Sequence, residues 1–535
     1  VPDVVLVFEV HQPYRLDVRA RDKLLELAAS GRRAGLEELE RLYFDVELTE
    51  RVFRKVSSRC YRPATELFLR LLDEHEGFRV SYSFSGVLLE QAERWDPDLL
   101  DLFAQVARHK RCEVLGQTYF HSLAYLISRS EFVEQVEAHR RLVRDLLGAE
   151  PRVFENTELI YDNGVAELAE RLGFKAVVTE GVERLLGWRS PNYVYRAKGL
   201  GIRVLLRNYR LSDDVGFRFA SRDWDQYPLT AGKYASWLAA TPGQLVLIFI
   251  DYETVGEHYP KETGIFEFFE WLPREAEARG LRFATPSEVV ERYEPVGEID
   301  APEPVSWADL ERDLSAWLGN AMQRLAFERE SRLEALVKAV GDPKLLRLWR
   351  LLSISDHYYY MSTKGGGPGE VHGYFSPYPT PYHAFYAFLS VFFDFEERLL
   401  EAAAPGPLAL RWLAPLPEEK AFRFYAREGA PLPYIARSGL DLIEAVKRVP
   451  AGSLEFHVKG GHLAVWLKSM LGDLKAASLV EGLRGLEGEE LRARLEAVLQ
   501  NALARALERS PQRAAESAHS FEQAGRRCDT AGGEQ

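Results

Sequence analysis

For roughly its first 295 residues the chain alternates short β-branched runs with longer amphipathic segments, a pattern that calls for βα units and a parallel sheet. The runs "VVLVFEV" (4–10), "FRVSYSFSG" (78–86), "CEVLGQTY" (112–119), "RVFENTEL" (152–159), "KAVVTEG" (175–181) and "QLVLIFIDYE" (244–253) are predicted as strands. "RFATPSEVVERY" (282–293) is predicted as one more short strand and a helix capped near Ser287. Several runs are apolar at consecutive positions, as expected of strands covered on both faces. Between them, "EFVEQVEAHRRLVRDLLG" (131–148) and "NGVAELAERLG" (163–173) have helical periodicity, the second closed by Gly173. About seven such strands close into a barrel or form an open doubly wound sheet, and periodicity alone does not choose.

Beyond "EIDAPEPVSWADL" the texture changes to long helical patterns, which predicts a helical domain over 297–403 with "SAWLGNAMQRLAFERESRLEALVKAV" (315–340) as its clearest helix. "HAFYAFLSVFFDF" (383–395) falls short of the roughly 20 apolar residues that span a bilayer and is expected to be a core helix. A smaller α+β module is expected over 418–495, and the polar 508–535 segment is expected to be disordered.

The net charge of −13 is spread along the chain, which argues against nucleic acid or a membrane surface as the main partner. The N-terminal "VPDVVLVFEVHQP" has neither a basic n-region nor a small-residue cleavage site, so a cytoplasmic location is expected. Cys60, Cys112 and Cys528 have no zinc-ligand or disulfide-framework spacing. Abundant Glu and Arg beside only 3 Met resembles thermophilic usage. Oligomeric state is not written in any of these features.

In α/β folds ligands bind beyond the carboxyl ends of the strands, so polar residues there are functional candidates. Four strand ends qualify. "EVHQPYRL" brings Glu9, His11 and Gln12, and "GQTYFHSL" brings Gln117, Tyr119 and His121. "ENTELIY" brings Glu155 and Glu158, and "DYETVGEHYP" brings Asp251, Glu253, Glu257 and His258. Each taken singly has an ordinary structural explanation; the case rests on their coincidence. Carboxylates from different strands are the minimum equipment for glycoside hydrolysis, one attacking the anomeric carbon and one handling the leaving-group proton. Glu155 and Glu158 are three residues apart and would face opposite ways in a strand, so at most one looks into a cleft while both keep strand geometry.

The blocks "HQPYRL", "GQTYFHSL", "ENTELIYD", "FIDYETVGEH" and "LLSISDHYYYMSTKG", in this order, resemble the five sequence regions of the family 57 glycoside hydrolases, in particular the archaeal-type α-amylase branch. The likeness covers roughly residues 4 to 395. It implies a distorted (β/α)7 barrel over 1–296 carrying catalysis, completed at the cleft by the helical domain, and retaining action on α-1,4-glucans. It also implies Glu158 as nucleophile, Asp251 as general acid/base, and His11, Gln12, His121, Trp224, Asp356 and His357 as substrate-binding residues. No metal or cofactor is implied. Where many members carry a second His two positions before the one in "HQP", this chain has Glu9.

A 4-α-glucanotransferase or branching enzyme on the same scaffold remains an alternative. More distant ones are a metal-dependent polysaccharide deacetylase, for which the His-x-His spacing is missing, and a non-catalytic glucan-binding protein.

Overall fold

The computed structural model describes residues 1–364, 376–403 and 407–507; the 508–535 segment, with Cys528, lies outside them. The chain divides into two compact units, one of Val1–Phe327 with Arg350–Leu389, the other of Glu328–Trp349 with the chain from Ser390 onward. The division therefore runs through the 297–403 stretch rather than around it.

In the first unit, seven parallel strands form a ring: β1 (Asp3–Val10), β2 (Val80–Phe84), β3 (Cys112–Val114), β4 (Val153–Glu155), β5 (Ala176–Glu180), β7 (Arg203–Arg207) and β8 (Leu245–Asp251). Two seams are thin. β3 meets β4 through one bridge, Gly116 to Phe154, and β7 meets β8 at Arg207 and Leu247. Short β6 (Tyr195–Ala197), β9 (Arg282–Phe283) and β10 (Glu298–Ile299) flank the ring, with β6 antiparallel to β7. This is a distorted (β/α)7 barrel with a helical segment.

Alternate residues of each strand turn inward. Val5 and Val7, Leu115, Val153, Ala176 and Val178, Leu205, and Leu245, Leu247 and Phe249 share one buried cluster, the packed interior of the barrel. One further step of two along each strand changes the chemistry. It reaches Glu9, Gln117, Glu155, Glu180, Arg207 and Asp251, while Ser83 on β2 is the register partner of Glu9. An apolar core is thus topped at the carboxyl ends of its strands by one polar layer with a member from each strand. Outward-facing Phe154, Val177, Val204 and Leu206 pack instead with Phe132, Val136, Val165 and Leu168 of the surrounding helices.

The structure differs from the sequence expectations in several places. β7, "RVLLR", was not expected, because arginines at both ends hide a strand of three apolar residues. The helix of 286–292 is capped by Thr285 in a reciprocal capping box with Glu288, whereas the Ser287 hydroxyl and amide bind Glu113. The 315–340 pattern breaks into Ser315–Leu318, Ala321–Ser331 and Glu334–Val340, with Asn320 accepting from the Gln323 amide where the chain restarts. The helix Pro381–Ala403 is two-faced: Phe388, Phe392 and Phe395 are buried, and Tyr386 and Phe393 are exposed.

In the second unit a hairpin, β11 (Phe422–Arg427) and β12 (Ala430–Ala436), leads into helices ending with Gly488–Leu507. Glu334 is buried there between Lys338, at 2.8 Å, and Lys447. No helix among the described residues is long and apolar enough to cross a membrane.

Candidate active site

β4 ends at Glu155, and the chain then makes one tight turn, Thr157–Leu159, in which Glu158 and Leu159 take left-handed φ values of 60° and 52°. Such a conformation costs a non-glycine residue of order 1–3 kcal/mol and persists only where surrounding contacts impose it. Here they are visible. Glu158 Oε2 accepts the Trp307 indole N–H at 2.7 Å, Oε1 accepts the Ser355 hydroxyl at 3.1 Å, and His121 Nε2 lies 3.6 Å from Oε1. Because Glu158 has left strand geometry, alternation no longer separates it from Glu155: both carboxyls act on Glu9 and on His121. Glu155 is accordingly an interior residue, fully buried.

His121, also at positive φ, stacks on His11 with ring centroids 4.0 Å apart. His11 is held at both nitrogens, Nδ1 by the Ser85 hydroxyl at 2.7 Å and Nε2 by Asp356 Oδ2 at 3.0 Å. Burial and the adjacent His121 push the His11 imidazole down to about 4, which leaves it neutral with its Nε2 proton donated to Asp356. Burial alone would raise the Asp356 carboxyl, but His11 and then His121 outweigh it and hold it well below the usual range. For His121 the order is reversed in outcome: burial favours the neutral ring, yet Glu158, Asp356 and Glu155 together raise it above the ordinary value.

The remaining carboxyls move the other way. Asp251, at the end of β8 and in register with Glu9, is pushed up to about 7 by burial and then by the negative charge of Glu158. Glu253, hydrogen-bonded by the Tyr61 hydroxyl, is raised to about 8 by burial and by Asp251. Burial likewise lifts Glu9 well above the carboxylate range, with Glu155, Glu158 and Asp251 adding to it. The site thus separates its acids: Asp356 is held ionised, while Asp251, Glu253 and Glu9 favour their protons. Divergent acids in one cleft are the electrostatic signature of acid–base work.

Other sequence candidates lie at the edge of the site or elsewhere. Gln12 is buried, accepts from Arg15 at 2.9 Å and hydrogen-bonds the Glu253 carboxyl. His357 is buried against the Leu351 carbonyl at 3.1 Å and beside the Phe44 ring. Trp224 lies edge-on to Trp237 in a cavity of about 680 Å³ lined by Tyr209, Asp213 and Arg218, which shares no residue with the carboxyl cluster. Glu257 pairs with Lys55 and Arg59.

Trp307, Ser355, Ser83 and the buried Arg207–Glu180 ion pair at 2.9 Å were not anticipated. Trp307 stands out in the sequence as a lone indole in a Pro-containing connection. It packs edge-on to Phe249 and beneath the Arg207 guanidinium, over the inward face of the barrel. No group of three or more His, Cys, Asp or Glu side chains among the described residues is placed to hold a metal ion.

Residues 5–302 match the description of Glycosyl hydrolase family 57. A protein of Methanocaldococcus jannaschii named "Putative alpha-amylase" is 46% identical over 409 residues, 74% of this chain and 85% of that protein. An alpha-amylase of Pyrococcus horikoshii is 25% identical over 128 residues, spanning 24% of this chain and 20% of that one. Among solved structures, a branching enzyme of Thermococcus kodakaraensis superposes with a TM-score of 0.54 at 15% identity, over 75% of this chain and 91% of that one. A 4-alpha-glucanotransferase of Thermococcus litoralis gives 0.51 at 18% identity, over 79% of this chain and 61% of that one.

Proposed function

The chain belongs to glycosyl hydrolase family 57, and from that premise we propose that it is a retaining enzyme acting on α-1,4-glucans by double displacement, with Glu158 as nucleophile and Asp251 as general acid/base. The observation that carries the assignment is the opposed environment of the two carboxyls. Asp251 keeps a proton up to about pH 7 because burial and Glu158 oppose its ionisation, whereas both oxygens of Glu158 are held by donors, the Trp307 indole and the Ser355 hydroxyl.

In the first step a Glu158 oxygen attacks the anomeric carbon as Asp251 gives its proton to the departing glycosidic oxygen. The ester formed has lost the negative charge of Glu158, so Asp251 becomes easier to ionise. It then takes a proton from water or from an acceptor hydroxyl, and the second attack restores the original anomeric configuration. His11, His121 and Asp356 are placed by this reading around the attacked sugar, with Asp356 ionised and His11 neutral as hydroxyl partners. Gln12, Trp224 and His357 would serve the substrate only through their neighbours or at a distance from the reacting bond.

Incubation with maltoheptaose tests the reading. Shorter maltooligosaccharides alone mean hydrolysis, a ladder extending in both directions means transfer, and no change sinks the α-glucan assignment. Freshly released α-anomer, seen by proton NMR before mutarotation, is the expected stereochemistry; β-anomer would refute retention.

A further inference from the structure

A directed hydrogen-bond chain runs through the polar layer, outside the two-carboxyl scheme. Ser83 Oγ donates to Glu155 Oε1 at 2.8 Å, Gln117 Nε2 donates to Ser83 Oγ at 2.8 Å, and Gln117 Oε1 faces His121 Nδ1 at 3.1 Å. The hydroxyl of Ser83 has one proton to give. Given to Glu155, it leaves Ser83 an acceptor, which turns the Gln117 amide N–H toward Ser83 and its carbonyl toward His121. His121 Nδ1 must then carry a proton, and Glu9 Oε1 lies 3.5 Å from the same nitrogen.

The opposite order is chemically available. With no acceptor at position 155, Ser83 would donate to the Gln117 carbonyl, the Gln117 amide would turn its N–H to His121, and Nδ1 would have to be bare. Glu155, Ser83 and Gln117 are fully buried, so water does not blur the choice. The second Glu155 oxygen has no hydrogen-bond partner among the described residues; burial raises the Glu155 carboxyl to about 8, and a proton resting on that second oxygen leaves Oε1 free to accept from Ser83.

We propose that Glu155 is a positioning residue, the terminal acceptor that orients Ser83 and Gln117 so that His121 carries its Nδ1 proton inward while Nε2 faces Glu158 Oε1. Glu155 touches neither His121 nor Glu158 by hydrogen bond; beside its direct electrostatic effect on His121 it sets the hydrogen-bond order through two intermediaries. The sugar-facing histidine is thereby locked in one protonation pattern while the charge on Glu158 disappears and returns.

The role rests on the nucleophile assignment above, so its test has an arm that needs no substrate. The full chain is labelled with ¹⁵N-histidine, the His121 signals being assigned by their loss in His121→Gln. Wild type and Glu155→Gln, whose amide oxygen still accepts from Ser83, should both show a protonated Nδ1 at His121. Glu155→Met should show a bare one, with kcat on maltoheptaose lowered at least about 10-fold and KM little changed, while Glu155→Gln stays within about 3-fold of wild type. Should Glu155→Met fail to fold, Glu155→Leu removes the same acceptor while leaving Ser83 in place and should give the same nitrogen signature. Unchanged His121 nitrogens in whichever of these two variants folds, or an equal loss of kcat in Glu155→Gln, would overturn the proposal. A wild-type chain that leaves maltoheptaose intact refutes the glucan assignment, while the nitrogen shifts still decide the chain.

Discussion

Trp307 donates its indole N–H to Glu158 Oε2 at 2.7 Å, while its backbone N–H reaches the Glu158 carbonyl at 3.3 Å. One residue thus holds both the carboxylate and the left-handed turn that presents it. Trp307→Phe keeps the ring against Phe249 and removes the indole donor. A hydrogen bond to a charged group contributes about 1.5–3 kcal/mol, so kcat should fall by roughly 10- to 100-fold. Steady-state kinetics beside a melting curve separate this from unfolding; an unchanged kcat would show that the indole contact is idle.

The alkaline side of the pH profile should be set by Asp251. In the proposed mechanism its protonated form is the acid, and its carboxyl is raised to about 7, so kcat/KM should decline as pH rises through that value. Asp251→Asn should abolish turnover of unactivated glucans across the whole range. A profile flat from pH 6 to 9 would contradict the assignment.

Glu253 couples the site to stability. Its folded-state carboxyl is raised to about 8, above the usual 4.3 or so, so the native state holds a proton that the unfolded chain has released. Stability from this group is present below the unfolded value and is lost as pH rises through about 8, at up to about 1.4 kcal/mol per pH unit. Glu253→Gln keeps an acceptor for Tyr61 and removes the titration, so its melting temperature should exceed wild type increasingly between pH 5 and 8 in scanning calorimetry. Parallel curves would refute the linkage.

In the second unit the sign is opposite. Burial would raise Glu334, but Lys447 and Lys338 outweigh it and hold the carboxyl down to about 2. Its contribution is present above the ordinary carboxylate range and fades as pH falls toward 2. Lys447→Met leaves a buried carboxylate short of a partner and should cost about 3–5 kcal/mol in denaturant unfolding, with Glu334→Leu/Lys447→Met costing less than the single change.

Strand periodicity alone located most of the polar layer, because a parallel strand buried on both faces must stay apolar until it reaches the rim. Glu9, Gln117, Glu155 and Asp251 could be read off as the first polar residues after continuous apolar runs. Arg207 and Glu180 were missed for the converse reason. A strand of three apolar residues between arginines has no periodic signal, and a buried ion pair is defined by its partner, 27 residues away in sequence.

What the sequence determined by itself was the alternation that builds the barrel and the order of strand ends that carry acids and histidines. Tertiary structure decided which of them meet. A left-handed turn moved Glu158 off the strand pattern and into contact with Trp307 and Ser355, which lie 149 and 197 residues away. Local propensity disfavours such a turn, so only the packed surroundings impose it, and no short-range pattern encodes contacts of that span. The same holds for the proton positions: whether Asp251 keeps its proton or Asp356 gives it up follows from burial and neighbouring charge, which exist only once the chain has closed.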